Sequence, residues 1–276
     1  VKQIQLYLFN HGYFNAEVNK EIVIKHKKAN VIYHIKANEP YHIKQITQSI
    51  TDEEISKILL QDSAQSFLKV GDQYQSKMMS QERERITEQL NRKGYYHFSK
   101  EFITFSVDTN LNCNCININT IIQDPILPRK MASDSITFGK HIPYRIRNIF
   151  INPNFNPLQP NESCSDSLRC SIEPTINGNI IFIHNDDLAY SSKRMINYLY
   201  FKPGDLYNLN NVNRTYTRLN ELKNFSYINI SFVEVVDSTL ESDTLNYIDC
   251  KIQLMPTDKY SFAAEAKGTN TGGNFG

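Results

Sequence analysis

Two stretches of the chain share one pattern of apolar and polar residues. Each begins with apolar residues spaced by three, four or seven positions, which predicts an amphipathic helix. Gly12 or Gly94 follows the helix, and two aromatic residues follow each glycine. Two alternating segments come next, and each pair predicts an antiparallel hairpin. The apolar helix residues are Val1, Ile4 and Leu8 in the first copy and Met79, Ile86 and Leu90 in the second.

A third copy of this pattern is less regular. A helix is predicted over residues 209–223, with Val212, Tyr216 and Leu219 facing inward. Asn224 stands where the other copies have glycine. Asparagine also tolerates the left-handed backbone conformation that ends a helix, so this copy ends in the same way.

The segments upstream of these helices also match each other. Residues 39–46 (EPYHIKQI) and 142–151 (IPYRIRNIFI) both read Pro-Tyr followed by alternation, which predicts a strand. Residues 67–75 (FLKVGDQYQ) and 200–208 (YFKPGDLYN) each predict a Gly-Asp turn between two helices. The complete unit is therefore strand, helix, helix, strand, strand.

The predicted fold class is α+β, with tandem units that each cover a three-stranded mixed sheet with two helices. Residues 1–38 correspond to the C-terminal part of a unit, and residues 39–123 to a complete one. A third unit spans residues 141–256. Its insertion at about 152–187 is rich in Pro, Asn and Ser, which predicts a surface loop. In the second unit, Thr51 and Glu54 predict a capping box at the start of the first helix.

Composition narrows the class of protein. The 276 residues are 40% hydrophobic and 21% charged, which predicts a folded chain. The formal net charge of +1 argues against a nucleic-acid binder, which normally carries a basic surplus. No run of roughly 18 apolar residues predicts a transmembrane helix. Neither an initiator Met nor a signal-peptide pattern begins the sequence, so we expect it to be a piece of a longer protein.

The cysteines and histidines give weak chemical signals. Cys164 and Cys170 lie in a polar loop, where they either form a disulfide or remain free thiols. Cys113 and Cys115 are two residues apart on one predicted strand, where direct pairing is expected to be strained. The spacing does not favour zinc, because no CxxC motif is present.

A catalytic site is not predicted. Residues 184–187 (HNDD), together with His97 and His141, supply an imidazole and carboxylates. No nucleophile elbow, metal-ligand spacing or phosphate-binding loop accompanies them. A turn that leads into a helix is the simpler interpretation of HNDD, and hydrolase activity remains only a remote alternative.

The repeated pattern resembles the polypeptide-transport-associated (POTRA) domains of the BamA/TamA outer-membrane assembly family. The resemblance rests on the order of elements, on the GDxY turns that precede GYF and GYY, and on the final passage IDCKIQLMPTDKYSFAAEAKGTNTGGNFG. ERERI and GYYHF are most similar to the TamA-like branch of Bacteroidetes. The resemblance implies that residues 257–276 start the outer-membrane β-barrel and that the repeats lie on the periplasmic side of that membrane. It also implies that no cofactor, nucleotide or metal is needed.

The same resemblance implies partners and a site. The partners would be unfolded outer-membrane or exported proteins, accessory periplasmic or lipoprotein subunits, and the chain's own C-terminal barrel. A strand edge can receive an extended client through backbone hydrogen bonds. The second strands supply the predicted edges, over residues 17–24, 98–107 and 227–236. The candidate edge residues are Phe98, Lys100, Phe102, Thr104, Tyr227, Asn229 and Ser231.

Two alternatives accompany this prediction. Alternation is also the ordinary pattern of a half-buried strand, so the first alternative is that these residues serve only the domain core. The aromatic residues Tyr13, Tyr95 and Phe225 either form a row that binds clients or pack the helix end onto the sheet. At the level of function, the alternative is a periplasmic scaffold or a two-partner-secretion module that binds fixed partners.

Overall fold

Three β-sheets and five α-helices make up the computed structural model, which describes residues 1–111, 113–126, 138–156, 171–174, 179–184, 191–235 and 245–257. The first repeat contains α1 (Lys2–Asn10), β1 (Glu17–Lys25) and β2 (Lys28–Lys36). The two strands form the predicted antiparallel hairpin. Its apolar side chains stay largely in contact with solvent, and Ile24 is 73% exposed.

The second repeat has the predicted β-α-α-β-β order. Its third strand lies in the middle of the sheet, parallel to the first strand and antiparallel to the second. A three-stranded mixed sheet results, as the α+β prediction requires. The elements are β3 (His42–Ile50), α2 (Glu53–Gln61), α3 (Ser76–Asn91), β4 (Ile103–Asp108) and β5 (Cys115–Ile122).

Alternation along β5 builds the core of the second repeat. Every second residue of this strand is buried, and the buried side faces the apolar stripes of α2 and α3. The predicted helix face is confirmed, since Met79, Ile86 and Leu90 are all buried. The capping-box prediction is wrong. The Asp52 carboxylate caps α2 instead, accepting hydrogen bonds from the N–H groups of Glu54 (2.9 Å) and Ile55 (3.2 Å).

The third repeat has the same order with an additional hairpin after its first strand. Its sheet has five strands in the order β7-β8-β6-β10-β9. The hairpin strand β8 is parallel to β6, and β7 is antiparallel to β8. The elements are β6 (Tyr144–Asn152), β7 (Ser171–Pro174), β8 (Ile180–His184), α4 (Ser192–Ile196), α5 (Leu209–Glu221), β9 (Phe225–Glu234) and β10 (Asn246–Pro256).

The face of α5 and its end differ from the prediction. Tyr216 is 48% exposed, and Thr215, which has no exposed surface, takes the inward position between Val212 and Leu219. The buried hydroxyl of Thr215 has both hydrogen-bond partners it needs, because it donates to the carbonyl of Asn211 and accepts from the N–H of Tyr200. The left-handed residue after the helix is Lys223 (φ 53°) rather than Asn224.

The chain divides into two compact units whose boundaries do not follow the repeats. One unit contains Val1–Ile146, Gly204–Asn210 and Glu234–Ile248, and the other contains the remaining described residues. The start of β6 and the Gly-Asp turn of the third repeat thus belong to the same unit as the second repeat. No helix in the described ranges is long and apolar enough to cross a membrane.

Candidate functional site

Strand β4 lies at one edge of the three-stranded sheet of the second repeat. It contains one predicted edge residue, Thr104, whose side chain is exposed. The strand begins at Ile103, five residues later than predicted. Phe98 is only 3% exposed and belongs to the core of the repeat. Lys100 and Phe102 lie in the short 3₁₀ turn that precedes the strand. The open backbone edge is therefore shorter than the alternation suggests.

An aromatic groove of about 420 Å³ lies next to the start of β4. The His141 ring sits against Phe98 and Phe102, with ring centroids 4.8 and 4.7 Å away. Its Nε2–H donates to the carbonyl of Gln123 at 2.9 Å. Burial lowers the pKa of His141, and this effect outweighs the hydrogen bond and the nearby Asp124 carboxylate, which raise it.

Strand β9 lies at an edge of the five-stranded sheet and contains the other three predicted residues. Tyr227 is 37% exposed and stacks on Phe155, with ring centroids 5.9 Å apart. The side-chain amide of Asn229 donates to the side-chain oxygen of Gln253 at 2.9 Å. These two side chains therefore already have partners within the sheet, while Ser231 is half-buried. The outer edge of β9 therefore offers chiefly its backbone groups to a further strand.

The glycine-aromatic motifs build a joint between successive repeats. In the first joint, the Gly12 carbonyl accepts the N–H of Tyr41 at 2.9 Å, and the Tyr41 carbonyl accepts the N–H of Tyr74 at 2.9 Å. The Phe14 ring lies between these tyrosines, with centroids 4.9 and 5.1 Å away. The second aromatic residue of the motif thus packs on the next repeat.

The second joint reproduces this arrangement. The Gly94 carbonyl accepts the N–H of Tyr144 at 2.8 Å, and the Tyr144 carbonyl accepts the N–H of Tyr207 at 2.8 Å. Tyr96 packs on these tyrosines edge-on, with centroids 6.0 and 5.0 Å away. The first aromatic of the motif, Tyr95, is buried in its own repeat, and burial raises its pKa to about 12. The interpretation that this residue seats the helix on the sheet is the one its burial supports.

The end of the third repeat begins in the same way. The Asn224 carbonyl accepts the N–H of Thr257 at 2.9 Å, and Thr257 follows a proline, as Tyr41 and Tyr144 do. Ser226 stands where the other joints have Phe14 and Tyr96, and its hydroxyl donates to the carbonyl of Met255 at 3.3 Å. These joint residues were not predicted as a group, although their repeated Pro-Tyr and GDxY signals are visible in the sequence.

The cysteines offer little reactive chemistry in the described ranges. Cys113 and Cys115, two residues apart in the chain, are paired as a disulfide. Cys250 is buried, and burial raises the pKa of its thiol, which keeps it protonated. Cys164 and Cys170 lie outside the described residues, as do Asn185, Asp186 and Asp187 of the HNDD segment. Among the described residues, no group of His, Cys, Asp or Glu side chains is placed to hold a metal ion.

Comparison with known families decides what the second repeat is. Residues 41–118 match the family model described as "POTRA: Surface antigen variable number repeat". This span contains β3, α2, α3, β4 and the first half of β5. Residues 41–118 form a POTRA domain. The third repeat has the same β-α-α-β-β order as this POTRA domain, apart from its additional hairpin.

Solved structures give more distant similarities. The chain is similar to BamA POTRA domains 3–5 of Haemophilus influenzae, with 12% identity, a TM-score of 0.43, and coverage of 92% of this chain and 78% of that one. It is also similar to Haemophilus ducreyi BamA lacking POTRA domains 1–3, with 13% identity and a TM-score of 0.49. That match covers 79% of this chain and 30% of that one. No curated protein matches the chain.

Proposed function

We propose that the chain is the periplasmic POTRA region of an outer-membrane protein assembly or translocation factor of the BamA/TamA family. It receives unfolded client chains or accessory lipoprotein subunits and passes them to its own C-terminal barrel in the outer membrane. In this proposal, residues 1–38, 39–123 and 141–256 are successive POTRA domains, the first of them partial, and residues 257–276 begin the barrel. The TamA-like branch is part of the proposal, as is a non-enzymatic role without cofactors.

The POTRA match over residues 41–118 is the observation that carries the proposal. The placement of Thr257 adds support for the proposed barrel start. Its N–H binds the carbonyl after the last helix, as Tyr41 and Tyr144 do where the next repeats begin. This repeated hydrogen bond supports our proposal that the boundary of the third domain lies at Pro256.

The proposed mechanism is β-augmentation at open sheet edges. Thr104 on β4 and Ser231 on β9 lie on edge strands, where the outward N–H and C=O groups can pair with an extended client. Backbone pairing suits clients of different sequence, because it does not depend on side chains. In this proposal, Phe98 and Phe102 pack behind the start of β4. Lys100 lies beside a segment bound at β4, and Tyr227 and Asn229 lie beside a segment bound at β9.

A photo-crosslinking experiment tests this proposal. The full-length protein would carry benzoylphenylalanine at Thr104 or at Ser231, with Glu88 on the exposed side of α3 as the matched control. We expect crosslinks to newly exported outer-membrane proteins from both edge positions and few from Glu88. Equal labelling of Glu88 would contradict edge binding. Capture of one folded periplasmic partner, without clients, would support the scaffold alternative instead.

A further inference from the structure

In the second and third repeats, the Gly-Asp turn of the repeat closes the outer edge of the first strand over its first two or three residues. In β3, Ile43 donates its N–H to the Asp72 carbonyl (2.8 Å) and accepts from the N–H of Gly71 (2.7 Å). In β6, Ile146 makes the corresponding bonds, to Asp205 (2.9 Å) and from Gly204 (2.8 Å). The Gly-Asp turn thus covers each strand up to this residue and no further.

Beyond this point the two strands differ. The third repeat places β8 along β6 in parallel, with Ile149 opposite Ile180, Ile151 opposite Phe182, and the N–H of Ile149 donating to the Asn179 carbonyl at 2.9 Å. Phe182 has no exposed surface as a result. Counting from the shared tyrosines, Tyr41 and Tyr144, the corresponding stretch of β3 is residues 46–48. No strand in the described part of the chain pairs with it there.

The side chains of β3 are consistent with a missing neighbour. Ile149 and Ile151 of β6 are 0% and 1% exposed, because β8 closes the sheet beside them. Ile46, the equivalent of Ile149, is half-exposed, as is Ile50 at the end of β3. On the sheet face that points away from the helices, β3 carries polar residues instead. Thr47 and Ser49 form hydrogen bonds with Asn119 there. An added strand would therefore gain apolar burial on the helix side only.

We infer that the outer edge of β3, residues 45–50, receives an extended segment of a client polypeptide in parallel orientation, at the place that β8 occupies on β6. The segment that fits carries large apolar residues two positions apart, as Ile180 and Phe182 do in β8. This inference rests on the proposed function, since it locates where the client strand docks. It adds an edge, an orientation and a register to that proposal, because β8 shows all three within the same chain.

A proline substitution can remove the docking groups without breaking the sheet. The N–H of Ile149 faces outward to β8. Outward N–H groups recur every second residue, so those of Ile46 and Gln48 face the open edge of β3. Proline is tolerated on an edge strand where the N–H faces solvent, so Gln48→Pro should fold. We expect it to weaken binding of a urea-unfolded outer-membrane porin about tenfold, by removing one backbone bond and blocking its neighbours.

Crosslinking supplies a second measurement that does not depend on the proline variant. Benzoylphenylalanine at Gln45 should label the porin strongly, whereas Glu88 should not. With a synthetic peptide of residues 179–184, a probe at Ser49 should label the C-terminal half, as parallel docking requires. Unchanged affinity of a folded Gln48→Pro variant, or labelling of Gln45 no stronger than Glu88, would overturn the inference. If Thr104 still labels in that case, the proposed function stands, and if no position labels, both fail.

Discussion

The joints at Gly12 and Gly94 have the same backbone hydrogen bonds but different side chains around them. Gly12 and Gly94 each offer a carbonyl to a tyrosine that follows a proline. The missing side chain of Gly12 faces backbone, since a Cβ there would lie 2.9 Å from the carbonyl oxygen of Tyr74. At Gly94 the nearest atom belongs to the Pro143 side chain, at 3.1 Å. The joint is thus defined by backbone geometry, and its tolerance to change depends on what surrounds it.

The largest expected effect comes from alanine at these glycines. Gly12 and Gly94 have φ values of 84° and 106°, which strain any other residue. Gly12→Ala should lower the unfolding free energy by about 3 kcal/mol, because a backbone oxygen cannot move aside. Gly94→Ala should cost about 2 kcal/mol, since a proline ring can shift slightly. Urea denaturation of purified protein measures both.

Gly71 provides the matched control for this pair. Its φ is 95°, but a Cβ added there would meet nothing within 4 Å. Gly71→Ala should therefore show the backbone cost alone, about 1 kcal/mol. Equal losses at Gly71 and Gly12 would mean that the close approach in the joint contributes nothing.

The next effect concerns the aromatic residue that docks on the following repeat. Phe14→Ala and Tyr96→Ala should each lower the unfolding free energy by about 2 kcal/mol, because each ring contacts two tyrosines. Tyr96→Phe keeps the ring and should cost under about 1 kcal/mol. The third repeat has Ser226 at this place, so Ser226→Ala should change stability by no more than about 1 kcal/mol. A loss for Ser226→Ala as large as for Tyr96→Ala would contradict the role given to the ring.

Periodicity within one segment predicted much of this fold. The β-α-α-β-β order, the hairpins and the buried face of α3 all follow from spacing of apolar residues, and they are confirmed. It was harder to predict which of two neighbouring residues takes a given structural role. Thr51 and Asp52 are both good N-cap residues, and Thr215 is buried only because a hydroxyl can bond to its own helix.

Contacts between segments that are distant in the sequence could not be predicted from it. The surface-loop prediction for residues 152–187 is wrong where β7 and β8 form. Even a strand pattern would not show that β8 runs parallel to β6, because it carries no information on the neighbouring strand. For the same reason, the contacts of Phe14 and Tyr96 with the next repeat were missed. Their partners, such as Tyr74 and Tyr207, are distant in sequence and lie after the Gly-Asp turns.

The smallest expected effect is a pH dependence of stability. It distinguishes the two joints because they differ in one side chain, His141 in the second and Asn38 in the first. His141 and Asn38 both lie two residues before the proline of a joint, and both donate to a carbonyl of the preceding repeat. Burial lowers the pKa of His141 from its ordinary value of 6.5, so protonation costs more in the folded state than in the unfolded state. Its contribution to stability is therefore complete above pH 6.5 and is lost as the pH falls below that value.

Replacing His141 with the residue of the first joint tests this difference. We expect the unfolding free energy of the wild-type protein to fall more steeply between pH 7.5 and pH 5.5, the range of roughly one unit on either side of a histidine's ordinary pKa, than that of His141→Asn. His26→Asn serves as the control, because His26 is exposed in the turn of the first hairpin with a φ of 50°, which asparagine tolerates. The control should keep the wild-type slope. If His141→Asn keeps it as well, the buried imidazole is not what makes the second joint sensitive to pH, and the two joints differ only in their glycine surroundings.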